Sequence, residues 1–327
     1  MNPSVNTPVH SSVRKARAAA APMHNLNRFV RELWRDRILY LFLAPFLLSF
    51  AVFILVPVMM AALLSFTSFN GFAFPRLVGL DNFIAIISQD KVFLKYALPN
   101  TLKFAIIVGP GGYLLSFAFA WLIHQLPKRV RDYYTLAFYA PSLAGGVALV
   151  VVWAAAFSGD RVGYMNHLLL QMGFIDSPVL WLQDPRYLMK IMIVVSLWTS
   201  FSIGFLAILA GLQTVSRELY EAGRIDGIKS PLQEVFYITI PSIRPQMLFS
   251  AVMTIVGTLK AGAISVQLTG QPITPMYGGH LMINHIDDYA YLRFELGYAS
   301  ALCVMLLVVS FLVLRFCYRL FLPKEDE

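Results

Sequence analysis

Ser196, Thr199 and Ser200 fall at i, i+3 and i+4 of an apolar stretch, so a helix places their hydroxyls on one face, with Trp198 beside them. Hydroxyls next to an aromatic plate suit a polyhydroxylated small molecule. The same side chains also let helices pack closely without binding anything. In a later apolar stretch Gly257 opens space and Lys260 is the one charge that the pattern places deep among apolar neighbours. A cation there is a functional candidate by default, or it pairs with a carboxylate of another subunit; Met253 favours neither reading. No nucleophile–base set or metal-ligand spacing is present, so neither an enzyme nor a resident metal is expected.

These residues need elements to hold them, and composition says what kind. The chain has 327 residues, 58% apolar and 13% charged, with a mean hydropathy of +0.65. Soluble domains carry about 25% charged residues; half that cannot cover a surface in water. The composition reads as an integral membrane protein and excludes a soluble enzyme, a disulfide-stapled secreted domain or a disordered tail. The net charge of +8 belongs with membrane-flanking loops rather than with nucleic acid. Cys303 and Cys317, about 21 Å apart along a helix, read as buried small hydrophobes that cannot pair with each other.

A spanning helix takes about 20 mostly apolar residues. Stretches 38–64, 102–123, 133–157, 188–210, 247–268 and 296–318 qualify, which predicts an all-α protein with six transmembrane helices, and none contains Asp or Glu. The first is too long and too late for a signal-peptide core. Seventeen Lys and Arg fall in the N-terminal segment, the second-to-third and fourth-to-fifth connections and the C-terminal tail, against six in the opposite loops. That bias predicts both termini in the cytoplasm. Residues 1–37 read as a cytoplasmic segment whose stretch 26–36 forms a basic amphipathic helix on the membrane surface. Residues 38–320 form the transmembrane domain, and 321–327 a cytoplasmic tail.

The longest cytoplasmic connection, 211–245, carries a pattern of its own. Leu212, Val215, Leu219 and Ala222 form one helical stripe, and Arg217, Glu221 and Arg224 share another face where they can support one another. Gly227 after Asp226 reads as a left-handed helix stop. Ser230, Pro231 and Gln233 then form a capping box that starts a second short helix, which Pro241 is expected to end.

Glu221-Ala222-Gly223, followed by Ile225-Asp226-Gly227 and then Phe236, Ile238, Ile240 and Pro241, resembles the EAA loop of binding-protein-dependent ABC-importer permeases with a MetI-like core. Gly223, Ile228 and Ile240 depart from the usual Ala, Ala and Leu. Ala44-Pro45-Phe46, Val78 to Phe83, Asn100-Thr101-Leu102 and Leu268-Thr269-Gly270 are similar to the carbohydrate branch. The resemblance implies uptake of a sugar, oligosaccharide or related polyol-type solute. It implies a second permease subunit, favouring a related but different chain, two ATPase subunits and an extracytoplasmic solute-binding protein in a bacterial inner membrane. It also implies that Glu221, Ala222, Gly223, Asp226, Gly227 and Pro241 belong to an ATPase-coupling loop, with Glu221 as a polar contact and Gly227 as the turn.

No Gly-x-x-x-x-Gly-Lys-[Ser/Thr] phosphate loop occurs, so this chain needs no cofactor of its own, and ATP with Mg is expected on the partner ATPase. The rival from another class is an ion-coupled secondary transporter. Such proteins usually need ionisable groups within their spans, whereas His10, His24, His124, His167, His280 and His285 all fall outside the apolar cores. A channel is a third reading, and it leaves the loop unexplained.

Overall fold

The computed structural model describes residues 37–143 and 146–321. The predicted surface helix at 26–36 and the tail from 322 onward lie outside the described residues. By contacts the chain divides into two units, 1–60 and 61–327.

In the first unit a helix begins at Arg37 and passes through a π turn, Ala51–Leu55. Pro57 follows that turn and has no N–H to return to the preceding turn, a setting in which an extra residue relaxes the ladder. None of the helical residues from Arg37 to Leu55 is buried.

The second unit is helical apart from one two-stranded ribbon, in which Thr67 pairs with Leu77 and Ser68 with Arg76. Four helical runs among the described residues are long and apolar enough to cross a bilayer: Arg37–Leu64, Phe93–His124, Pro185–Thr214 and Leu296–Leu320. A fifth is a broken pair, Arg244–Leu259 and Ala263–Thr269, bent by 51°. The stretch read as the third span is covered by two shorter helices, Lys128–Leu143 and Gly146–Ala156, of 16 and 11 residues. At 1.5 Å per residue they are about 24 and 17 Å long, each short of a hydrocarbon core of about 30 Å. The described residues therefore show four or five spans, where the apolar pattern predicts six.

Helices Leu98–His124, Ile203–Thr214 and Arg244–Leu259 pack against one another, and Arg244–Leu259 also packs on Leu296–Phe321. Small residues permit the approach: a Cβ on Gly204 would stand 2.7 Å from Ser250 Oγ. Two buried clusters mark the two ends of Phe93–His124. Ile86, Phe93, Ala97, Met282 and Leu302 surround its start, and Ala120, Ile123, Phe205, Leu212 and Ile243 surround its end.

Candidate functional site

The run Pro185–Thr214 is interrupted at its middle, and the interruption makes a cavity. Thr199 Oγ1 donates to the carbonyls of Val195 (3.1 Å) and Ser196 (3.2 Å), and Ser200 Oγ to that of Leu197 (2.7 Å). Such back-bonding competes with the helical ladder. The chain turns extended at Ser202 before the next helix starts at Ile203. The cavity beside this break is about 240 Å³ and is lined by Ser196, Thr199, Ser200, Ser202, Met253, Thr254, Gly257 and Thr258, with Phe104, Val108 and Ala261. Thr254 and Thr258 likewise give their hydrogens to backbone, at 2.9 and 2.7 Å. Four hydroxyls thus spend their donors inside the chain and present lone pairs, which is what a solute rich in O–H groups can use.

Of the residues singled out in sequence for a solute path, the structure brings Ser196, Thr199, Ser200 and Gly257 together in this cavity. Trp198 does not line it; its ring packs edge-on against Trp153, 5.4 Å between centroids. Lys260 is exposed and caps the C-terminus of Arg244–Leu259, at the 51° bend. It sits at the break of the pair, where Ala261-Gly262 interrupts the run and the terminal carbonyls favour positive charge. Ser202, Thr254 and Thr258 were missed although Ser202 lies two residues past Ser200 and Thr254 and Thr258 stand at i and i+4 of one helix. Helix packing brings that face against the break at 199–202.

Loop 211–245 is organised around Gly227. Helix Arg217–Ile225 begins after an extended Ser216, so Leu212 belongs to the preceding helix and the predicted apolar stripe spans two elements. The helix ends in a Schellman motif: Ile228 N–H bonds Gly223 C=O (2.9 Å), Gly227 N–H bonds Arg224 C=O (3.3 Å), and Gly227 has φ +98°. The capping box is present, with Gln233 N–H on Ser230 Oγ (3.3 Å) and Ser230 N–H on Gln233 Oε1 (3.2 Å). Pro241 does not end the second helix. A π turn, Val235–Thr239, precedes it and absorbs the missing donor, and the break comes at Ile243 (φ −111°, ψ 19°).

The two arms of the loop are clamped by Arg224 Nε on Glu234 Oε1 (3.0 Å) and by Tyr220 Oη with Thr239 Oγ1 (3.0 Å). Arg224 therefore pairs across the turn rather than with Glu221. Gly223 is buried against Ile238 and Ile228. Glu221, Ala222 and Asp226 are exposed, together with the apolar side chains of Leu219, Ile225, Leu232, Phe236 and Tyr237; Ile225 is 87% exposed. An ordered hairpin with this much exposed apolar surface has a contiguous face available for contact.

A third arrangement escaped the sequence reading. At the start of Phe93–His124, Asp90 Oδ2 accepts from His285 Nε2 (2.7 Å), Tyr298 Oη (2.7 Å) and Tyr289 Oη (3.3 Å), and Oδ1 accepts the Phe93 N–H (2.8 Å). His285 Nδ1 meets His280 Nε2 at 3.3 Å, one ring donating to the other. Burial alone would raise the Asp90 carboxyl, but the bonds from His285, Phe93 and Tyr298 hold it well below the usual range. His280 is pushed down to about 4, first by burial and then by the neighbouring His285. The histidines do lie outside the long apolar helices, yet both are fully buried. Asp90, the partner of His285, is 195 positions away, and no local spacing announces it. Among the described residues no group of three His, Cys, Asp or Glu is arranged to hold a metal ion.

A broken helical bundle with a hydroxyl-lined cavity and an ordered, partly apolar hairpin outside it is the architecture of a membrane transport subunit. Residues 112–326 match the family described as binding-protein-dependent transport system inner membrane component, and the chain belongs to it. It is an ABC-importer permease, a multi-pass transport subunit rather than an enzyme. The chain is 32% identical over 279 residues to the probable ABC transporter permease protein YesP of Bacillus subtilis (strain 168), covering 84% of this chain and 87% of that one. It is 30% identical over 290 residues to the arabinooligosaccharides transport system permease protein AraP of the same strain, covering 86% and 89%. In fold it is similar to a chain of a bacterial ABC transporter involved in the import of the acidic polysaccharide alginate, with a TM-score of 0.76 at 22% identity over 91% of this chain and 100% of that chain.

Proposed function

We propose that this permease carries a sugar, oligosaccharide or related polyol-type solute through the cavity between Ser196 and Thr258. The observation that carries the reading is the set of acceptor lone pairs on Thr199, Ser200, Thr254 and Thr258, which fits a solute dense in hydroxyls. Similarity to permeases named for arabinooligosaccharides and alginate supports the same class. The chain works beside a second permease, with two ATPase subunits that hold ATP and Mg and an extracytoplasmic solute-binding protein. Loop 211–245 docks the ATPase through Glu221, Ala222, Asp226 and the surrounding apolar side chains, while Gly223, Gly227 and Pro241 set its shape. Both termini then face the cytoplasm, and residues 133–157 complete six spans.

Reconstituted vesicles test this reading. Uptake is expected only with the ATPase, ATP and the binding protein all present, and is expected to survive a protonophore. Uptake driven by a pH or sodium gradient without ATP would reject the mechanism, and ATP-driven uptake of an amino acid but no sugar would reject the solute class. The cavity has its own test. A Cβ on Gly257 meets no atom within 4 Å, so the side chain of Gly257→Leu starts in open space beside the cavity. Uptake should fall to background while subunits still copurify; normal uptake would move the path elsewhere.

A further inference from the structure

We propose that a second cavity, beside the loop just described, binds the phosphate of an anionic phospholipid headgroup. It is about 660 Å³ and lies between the turn that follows Phe93–His124 and the link from Thr214 into helix Arg217–Ile225. Its cations are Lys128, Arg131 and Arg217, its neutral donors include Gln125, Gln213 and Tyr220, and no carboxylate lines it. Three arginines elsewhere have a carboxylate partner, Arg186 with Asp184, Arg224 with Glu234 and Arg293 with Asp288; none of the three cations gathered here does among the described residues. Arg131 makes no ion pair among the described residues, and both its Nε and the nearby Nδ1 of His124 are buried without a hydrogen-bond partner. A buried guanidinium N–H left unsatisfied beside gathered like charge is costly, and an anion with several acceptor oxygens removes both costs.

Position selects the source of that anion. Both long apolar helices that frame the cavity end at it, one at His124 and the other at Thr214, which sets it at the depth of lipid headgroups rather than in bulk water. Its volume falls in the range of small-ligand clefts and is too small for a docked helix. Leu122, Tyr133 and Leu136, exposed on the flanking helices, offer apolar surface to the acyl chains. A bound headgroup would join the 124–128 turn to the start of helix Arg217–Ile225. It would thereby brace the root of the loop, whatever solute the permease carries.

The test is native mass spectrometry of the intact importer released from membranes containing phosphatidylglycerol and phosphatidylcholine, with ATPase content measured in the same spectra. Surface basic residues each contribute about fivefold to anionic lipid binding. Phosphatidylglycerol retention should therefore drop about fivefold in K128Q and about thirtyfold in R131Q/R217Q. It should be unchanged in R129Q, an exposed neighbour outside the cavity. Excess inorganic phosphate should leave the lipid in place. K128Q carries the test if the double variant does not assemble, because Lys128 is exposed. Equal retention in K128Q, R129Q and the native chain would overturn the proposal. So would displacement by phosphate alone, which points to a soluble anion, or loss of the ATPase from R131Q/R217Q with its lipid intact, which gives the cavity to a protein.

Discussion

The buried cluster around Asp90 and the hairpin 217–239 lie near opposite ends of helix Phe93–His124, and they handle polarity in opposite ways. Around Asp90 each carboxylate oxygen has found a donor within the chain, and two histidines and two tyrosines are folded in behind it. In the hairpin the hydrogen bonds serve only to hold the turn, while Leu219, Ile225, Phe236 and Tyr237 stay in the open. The first region is satisfied within the chain, and the second keeps its apolar surface exposed. Substitutions should therefore separate cleanly: damage at Asp90 should read out as stability, damage in the hairpin as assembly.

The sharpest break of that contrast is Gly227→Pro. Proline holds φ near −65° where the turn needs +98°, at a cost of about 3 kcal/mol or more. With Glu221→Lys, which reverses an exposed charge, it should abolish ATPase copurification and uptake while the protein still inserts. Full retention of the ATPase in both variants would take the docking role from this hairpin. Next comes Asp90→Ala, which leaves His285, Tyr289 and Tyr298 facing an empty site. Breaking one partner of a buried pair costs about 3–5 kcal/mol, so the unfolding midpoint in detergent should fall steeply; a barely shifted midpoint would show that the cluster is dispensable.

Acid should act on the same end. The His280 ring stays neutral in the folded chain down to about 4, whereas an unfolded histidine takes up its proton near 6.5. The stability tied to that neutral ring is therefore complete above about 6.5 and is lost as pH falls toward 4, by about 3 kcal/mol in all. His280→Gln should flatten this slope, and an unchanged profile would locate the acid sensitivity elsewhere. The smallest effect is expected at Gly223→Ala. The new methyl meets Ile238 Cδ1 at 2.6 Å, and that flexible end can yield. A helix-propensity gain of about 1 kcal/mol offsets the shift, so the midpoint should move little and the ATPase should stay bound.

What the sequence disclosed follows the range of the forces involved. The left-handed turn at Gly227 and the capping box at Ser230 are local, made by residues within five positions of one another, and both are present as the pattern predicts. Boundaries were harder. The stripe from Leu212 to Ala222 has helical spacing throughout, yet the chain breaks at Val215 and Ser216, because the side chains before the break pack in one cluster and those after it face outward. Pro241 reads as a stop, but a single π turn accommodates it. The cavity was half legible, since Ser196, Thr199 and Ser200 share one face, while Thr254 and Thr258 reach it only through the packing of separate helices. The Asp90 cluster was not legible at all, because the partners are joined by burial rather than by sequence distance.

The ties at the start of Phe93–His124 also have a mechanical side. Asn100 Nδ2 donates to the carbonyls of Tyr277 and His280, and the Thr101 hydroxyl accepts the Met282 N–H at 2.7 Å. With Asp90 on His285, these bonds rivet the first turns of that helix to the segment that follows the broken pair. The helix is 32 residues long, about 48 Å at 1.5 Å per residue. A tilt of only 5° about the riveted end sweeps the other end through about 4 Å, and it is the other end that meets the root of the hairpin. Held at the Asp90 cluster, the helix has its widest travel at the hairpin end, and Phe104 and Val108, which line the cavity closer to the pivot, would move through less than half of that sweep.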